Sequence, residues 1–259
     1  MRVAARLAYW GPAYHGYARQ ADVDTVEGDL VRALTRIRAI RDPASARLAV
    51  ASRTDRGVSA VANVVAFDTS FPHGKLSQAM NGRMHDAWLW TCIPVPEVFN
   101  PRRALSRRYR YHLPRDVSTE KVRKAAAMFQ GDHDFASFTV GRLHGRLRID
   151  RIRVRRDPWF VVVDFEAKRF ARGLLRRIAG AIDAYARGEF DETELRAALA
   201  GGPLRTSPAI PEGLFLLDVD CGLAWPPAPE RLVKAVRSWL QAAALTHRFA
   251  TEMVGRILS

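Results

Sequence analysis

The chain has 259 residues, 48% of them hydrophobic and 26% charged, with a formal net charge of +14. Such a chain can bury a sizeable core, which argues against general disorder, and no apolar run approaches the roughly 18 residues of a membrane span. The positive excess points to a polyanionic partner, nucleic acid first.

The elements follow in chain order. Residues 2–9 alternate, with Val3, Ala5, Leu7 and Tyr9 on one face and Arg2 and Arg6 on the other, which predicts a half-buried strand. Asp24 and Glu27 stand at capping-box spacing before Val26, Leu30, Leu34 and Ile37, an amphipathic helix of about four turns. Strands are expected at 47–51, 61–68 and 87–93, with a loop at Ser52–Val58 and a short helix near 75–81. A second unit begins near residue 101. It has a strand at Arg107–Leu113, a helix capped by Ser118 or Thr119, and a hairpin over 147–167 turning at Asp157-Pro158. A helix over Phe170–Arg187 stops at Gly188, a capping box at Asp191 and Glu194 opens another, and Leu214–Val219 is a final strand.

This order predicts an α+β fold of two halves, 1–100 and 101–222, with mixed, mostly antiparallel sheets. Pro226, Pro227 and Pro229 form a linker, and 223–259 reads as a helical extension whose stripe Leu232, Val236, Leu240 and Ala243 makes core contacts. The start, Met1 to Arg6, lacks the apolar run of a signal peptide, and Cys92 and Cys221 form no metal-type pair. Both features suit a cytoplasmic protein whose cysteines stay thiols.

Two segments concentrate arginine. Arg102, Arg103, Arg107, Arg108, Arg110 and Arg115 form one; Arg146, Arg148, Arg151, Arg153, Arg155 and Arg156 form the other. In the second, arginine alternates with Leu147, Ile149, Ile152 and Val154, which sets the guanidinium groups on one strand face. The phase slips at Asp150-Arg151, where a bulge or bend is expected. The planar fork of arginine suits phosphate, and Tyr109 and Tyr111, set among these arginines, suit stacking on an unpaired base. An arginine-rich solvated edge and a buried tyrosine are the plainer readings.

The chain contains no phosphate loop, nucleophile elbow or HExxH pattern. Asp132-His133-Asp134 is the best local metal cluster, but adjacent residues rarely face one ion. Ser52-Arg53-Thr54-Asp55-Arg56-Gly57-Val58 is more specific: an aspartate between two arginines in a loop after a strand. The positive neighbours favour an ionised carboxylate, able to act as nucleophile or base, and Gly57 permits a tight turn. On chemistry alone, a surface ion pair in a turn is the plainer reading.

Arg53-Thr54-Asp55-Arg56-Gly57-Val58-Ser59-Ala60 resembles the RTDxGVHA signature of the tRNA pseudouridine synthase A (TruA) family. Tyr14-His15-Gly16-Tyr17-Ala18-Arg19-Gln20 is similar to its FxGWQxQ stretch, and Asn100 to Ala104 with Arg107-Arg108-Tyr109-Arg110-Tyr111 to its FxAR…RxYRY segment. Gly131-Asp132-His133-Asp134-Phe135 with Phe138 resembles GxHDFxxF, Phe170 with Leu175 to Gly180 resembles FLxxMVRxIVG, and Glu212-Gly213-Leu214 with Leu216 resembles EGLxL. These motifs stand in family order from about residue 5 to 220. Ser59 replaces the usual His, and Tyr17-Ala18 the usual Trp-Gln.

The resemblance implies two α+β halves joined around a central cleft, and conversion of uridine to pseudouridine in the anticodon arm of tRNA, at positions 38 to 40. It implies Asp55 as nucleophile, Tyr109 stacked on the target base, Arg176 pairing with Asp55, Arg53 beside it keeping it charged and oriented, and Leu214 against the flipped base. Arg56, Arg107, Arg108 and Arg110 are expected to bind substrate. No cofactor or metal is implied, and a homodimer is. A non-catalytic tRNA-binding module on the same fold is the alternative.

Overall fold

The computed structural model describes residues 1–114, 116–141, 145–203 and 206–231, with Val233, Lys234 and Ser238 beyond them. In the first hundred residues β1 (Arg2–Tyr9) lies between β3 (Ser59–Asp68) and β4 (Ala87–Pro94), antiparallel to both. A two-residue β2 (Ala49–Val50) also pairs with β3. In the second part β5 (Ser106–Pro114) pairs with β9 (Phe160–Ala167), and β9 with the edge strand β8 (Arg151–Arg156), again antiparallel.

The last strand, β10 (Leu214–Asp220), joins the two sets. It runs antiparallel to β5, with Leu216 opposite Tyr109, and parallel to β3, with Phe215 opposite Ser59 and Leu216 opposite Ala60. The result is one eight-stranded sheet in the order β4-β1-β3-β10-β5-β9-β8, with β2 beside β3. This is the α+β architecture that the sequence implied, with helices packed on a mostly antiparallel sheet. Helix α2 (His73–Met80) lies on β4, and α3 (Thr119–Met128) on β8 and on α4 (Leu174–Arg187).

Several local expectations shift. Helix α1 (Val26–Arg36) is capped by Thr25, whose Oγ1 accepts from Gly28 N at 3.2 Å, and spans three turns. Asp24 is instead paired with Arg32, and Glu27 accepts from Arg19 N. Thr25 wins because it holds the extended backbone that a cap needs. Both faces of β1 are covered at its start: Arg2 is buried and donates to Asp68 and to the Phe99 carbonyl.

The phase slip at Asp150 is a change of sheet. β7 (Leu147–Ile149) pairs with β6 (Gly131–His133) in a separate two-stranded sheet, and Asp150 N bonds Glu166 O as the chain enters β8. Helix α4 begins only at Leu174, after Gly173 in the left-handed region, so Phe170–Gly173 is a turn; it ends at Gly188 as expected. The capping box at Asp191 and Glu194 opens α5 (Glu192–Leu199). In the C-terminal extension Glu230, Arg231, Val233, Lys234 and Ser238 are helical. The stripe Leu232, Val236, Leu240 and Ala243, like Arg115, lies outside the described residues. No helix of the described residues is long and apolar enough to cross a membrane.

Candidate active site

The Ser52–Val58 loop follows β2 and is fastened at each end. The Ser52 carbonyl accepts from Asn63 Nδ2 at 2.8 Å. Thr54 is buried, its hydroxyl 2.8 Å from the Tyr9 hydroxyl and its carbonyl accepting from Tyr17 N at 3.0 Å. Gly57 sits at φ 82°, where a side chain would strain the backbone and meet Pro211 and Glu212. Gly16, at φ 101°, lets the chain lie against the backbone of Thr54, Asp55 and Arg56. Ser59, at the family's His position, accepts from Gly11 N at 2.9 Å and seats that neighbouring turn.

These restraints present Asp55, half-buried, to a cleft of about 1230 Å³. Its walls come from the Asp55 loop, the turn at 15–20, β5, the turn before α4 and the start of β10. Asp55 is the one carboxylate among the lining residues, and eight arginines line the cleft with it: Arg53, Arg56, Arg102, Arg107, Arg169, Arg172, Arg176 and Arg177. None of the eight forms an ion pair with a described acidic residue.

The expected site residues divide by position. Asp55, Arg53, Arg56, Tyr109, Arg107, Arg176 and Leu214 all line the cleft. The expected ion pair of Asp55 with Arg176 is not formed: Arg176 Nε donates to the Ala209 carbonyl at 2.8 Å instead. Arg107 is buried, and all three of its nitrogens are engaged by the Ala51, Arg102 and Lys168 carbonyls and the Ser52 hydroxyl. Its guanidinium therefore fastens the cleft walls together. Burial pushes its pKa down from the ordinary arginine value.

Arg108 and Arg110 point to the opposite face of the sheet. Neighbours on a strand alternate sides, and β5 buries Arg107, Tyr109, Tyr111 and Leu113 while leaving the residues between them more exposed. There Arg110 forks onto Asp164 at 2.6 and 2.9 Å, and Arg108 bonds Asp218 at 3.0 Å.

Tyr109 stands in the cleft with Phe170 edge-on, ring centroids 5.3 Å apart. Its pKa is raised chiefly by burial, opposed by a hydrogen bond from Ser52 and by the Arg107 charge, and raised further by Asp55. Leu214, opposite Tyr111 in the register, is buried in the same cleft wall at the start of β10. Sequence reading does not find Phe170, Arg172 and Arg177 as cleft residues. The available signal is the basic run around one aromatic, Lys168-Arg169-Phe170-Ala171-Arg172, hidden by assigning Phe170 to a helix. The Asp132-His133-Asp134 cluster is committed elsewhere: Asp132 to Arg146, His133 to the Gln130 carbonyl, Asp134 to Ala136 N.

Residues 125–220 match a family model described as tRNA pseudouridine synthase. A tRNA pseudouridine synthase A of Pyrococcus abyssi is 36% identical over 267 residues, covering 100% of this chain and 97% of the relative. The chain belongs to the tRNA pseudouridine synthase A family. That family consists of isomerases that convert uridine to pseudouridine. A second relative of the same name, from Methanococcoides burtonii, is 35% identical over 275 residues and covered end to end by this chain. A solved H/ACA ribonucleoprotein bound to a substrate RNA is similar over 68% of this chain and 43% of its own, at 14% identity and a TM-score of 0.36. That likeness is too low to add to the argument.

Proposed function

We propose that the chain isomerises uridine to pseudouridine in the anticodon arm of tRNA, at positions 38 to 40, with Asp55 as nucleophile. One observation carries this reading: eight arginines without acidic partners surround a single carboxylate at the edge of an aromatic pocket. Guanidinium groups without acidic partners favour phosphate, and their field favours the ionised form of a carboxylate. The reaction breaks the N1–C1′ bond, turns the base and joins C5 to C1′; C5 loses a proton and N1 gains one. No electrons are exchanged, so the balance calls for no redox cofactor.

The target base must leave the helix stack before Asp55 can reach it. Tyr109, Phe170 and Leu214 supply an apolar wall for it, and Arg53, Arg56, Arg172 and Arg177 supply donors for the flanking phosphates. Arg176 stands in the same cleft and could turn from Ala209 to Asp55 once substrate fills it. The exposed row Arg151, Arg153 and Arg155 on β8 offers a second basic surface, separate from the cleft. We further propose that 1–100 and 101–222 act as two halves bridged by β10, that 223–259 is an appendage, and that the chain works in the cytoplasm as a homodimer.

The test is incubation with an unmodified tRNA transcript, followed by position-resolved mapping of pseudouridine. New pseudouridine confined to the anticodon arm is expected. Tight, salt-sensitive binding with no modified uridine would favour a binding module instead.

A further inference from the structure

The β8–β9 hairpin carries charge and aromatic surface that the cleft does not use. Arg151, Arg153 and Arg155 are exposed on one face of β8, while Ile152 and Val154 on the other turn inward to the core. The register sets Arg151 opposite Glu166, Arg153 opposite Asp164 and Arg155 opposite Val162, on the face that Arg108 and Arg110 share, away from the cleft. None of the three forms an ion pair with a described acidic residue, and Asp164 is already held by Arg110. Alternate residues of a strand lie about 7 Å apart, so the row repeats at close to the spacing of successive phosphates in an extended nucleic-acid strand.

The row ends at the turn of the hairpin. Asp157 Oδ1 accepts from Trp159 N at 2.8 Å and from Phe160 N at 2.7 Å, and Asp157 N donates to the Phe160 carbonyl at 3.0 Å. Pro158 fixes the backbone between them. Phe160 packs edge-on against His112, ring centroids 5.4 Å apart, and stays 42% exposed. Trp159 is 75% exposed, and its indole meets no other ring and no hydrogen-bond partner among the described residues. A lone exposed aromatic says little by itself. A turn-fixed indole at the end of a row of guanidinium groups is more specific, because it suits a ligand both aromatic and polyanionic. An unpaired base stacks on the one while its flanking phosphates meet the other.

We infer that the β8–β9 hairpin is a second RNA-contact surface, on which Trp159 stacks on an unpaired base of the tRNA outside the anticodon arm while Arg151, Arg153 and Arg155 follow its phosphates. The inference rests on tRNA as the substrate and not on the chemistry at Asp55. Phe160 stands opposite Pro114, five residues beyond Tyr109 on β5, so the tip lies about 17 Å further along the sheet and on its other face. An anticodon arm seated in the cleft is separated from the tip by the sheet itself. A whole tRNA extends well beyond that arm, and β8 is the edge strand round which it can pass. Glu166, the acid opposite the row that no arginine holds, stands at the end remote from Trp159.

The test compares two RNA probes in equilibrium binding to the full chain: an unmodified full-length tRNA transcript and its isolated anticodon arm. Trp159→Ala should weaken binding of the full-length tRNA about tenfold, the loss expected for one stacked base, and leave the arm within about twofold. Trp159→Phe, which keeps an aromatic face, should recover most of that loss. The triple variant Arg151→Gln, Arg153→Gln, Arg155→Gln should lower the slope of log K against log salt by about 2 for the full-length tRNA and leave the slope for the arm unchanged. If either variant binds full-length tRNA as the wild type does, or loses as much on the arm, the proposal is overturned. Vesicles of phosphatidylserine that bind the wild type and release Trp159→Ala, with tRNA affinity unmoved, would assign the hairpin to a membrane surface and overturn it equally. Should calorimetry show Trp159→Ala unfolded, the arginine variant decides alone. If the wild type binds tRNA but makes no pseudouridine, the reaction proposed above fails, and these affinities still decide the role of the hairpin.

Discussion

On the cleft face of the sheet eight arginines line a cleft with one carboxylate, and none has an acidic partner among the described residues; on the opposite face Arg6 and Arg108 share Asp218, and Arg110 is forked onto Asp164. Arg6 is further sandwiched between the rings of Trp90 and Trp225, each 5.1 Å away. Arginine serves two purposes on one sheet. Behind it, charge is neutralised locally and ties strands and linker together. Within the cleft, Arg107 and Arg176 are held by carbonyls, and the charge of the other six is left open for a polyanion. A strand with arginine at 107, 108 and 110 supplies both faces, because alternate residues point to opposite sides.

The largest effect expected from breaking this division is at Arg107. Arg107→Ala leaves the Ala51, Arg102 and Lys168 carbonyls without their donor. Of these three residues only Ala51 is buried, so at about 1–3 kcal/mol for a buried orphan the loss should reach about 2 kcal/mol. Calorimetry should show a Tm lower by roughly 4–8 °C for a chain of this size. An unchanged Tm would remove Arg107 from its fastening role.

A smaller and more selective effect is expected at the cleft rim. Arg172→Ala or Arg56→Ala should leave Tm unaltered and reduce the slope of log K against log salt for tRNA binding by about 0.7–0.9 for each phosphate no longer neutralised. Arg110→Ala should leave that slope unchanged and cost about 1 kcal/mol of stability through the unpaired Asp164. Equal slopes for Arg172→Ala and Arg110→Ala would erase the distinction between the two faces.

The smallest effect concerns His112, which lies on the back face against Phe160 and Phe215. Burial lowers its pKa, so the unfolded chain binds the proton first as pH falls below about 6.5. Its contribution is complete above that pH and declines below it. Denaturant titrations from pH 7 to 5 should show a falling stability that His112→Gln makes flatter.

Much of this is legible in the sequence, and the misses have physical causes. Most strand positions, the Asp55 loop and the stop at Gly188 follow from alternation and backbone-specific residues, although the strand expected at 47–51 shrinks to Ala49–Val50 and Leu147–Ile149 leaves the expected hairpin for a separate sheet. The α1 cap is ambiguous in sequence because Asp24 and Thr25 are adjacent candidates, and only tertiary bonds of Asp24 to Arg32 and His15 decide between them. Periodicity sets the start of α4 too early, since Phe170 fits a helical apolar stripe yet packs on Tyr109.

Strand parity alone is enough to separate Arg108 and Arg110 from Tyr109. What no local pattern announces is that Asp55 would be the single carboxylate in its cleft. That depends on β10 bringing two distant parts of the chain side by side, so that the walls come from segments more than a hundred residues apart.

The most direct test of the account is Asp55→Asn, which removes the one cleft carboxylate and nothing else of size. The variant should bind unmodified tRNA within about threefold of the wild type and form no pseudouridine. Pseudouridine formation at the wild-type rate in that variant would contradict the assignment.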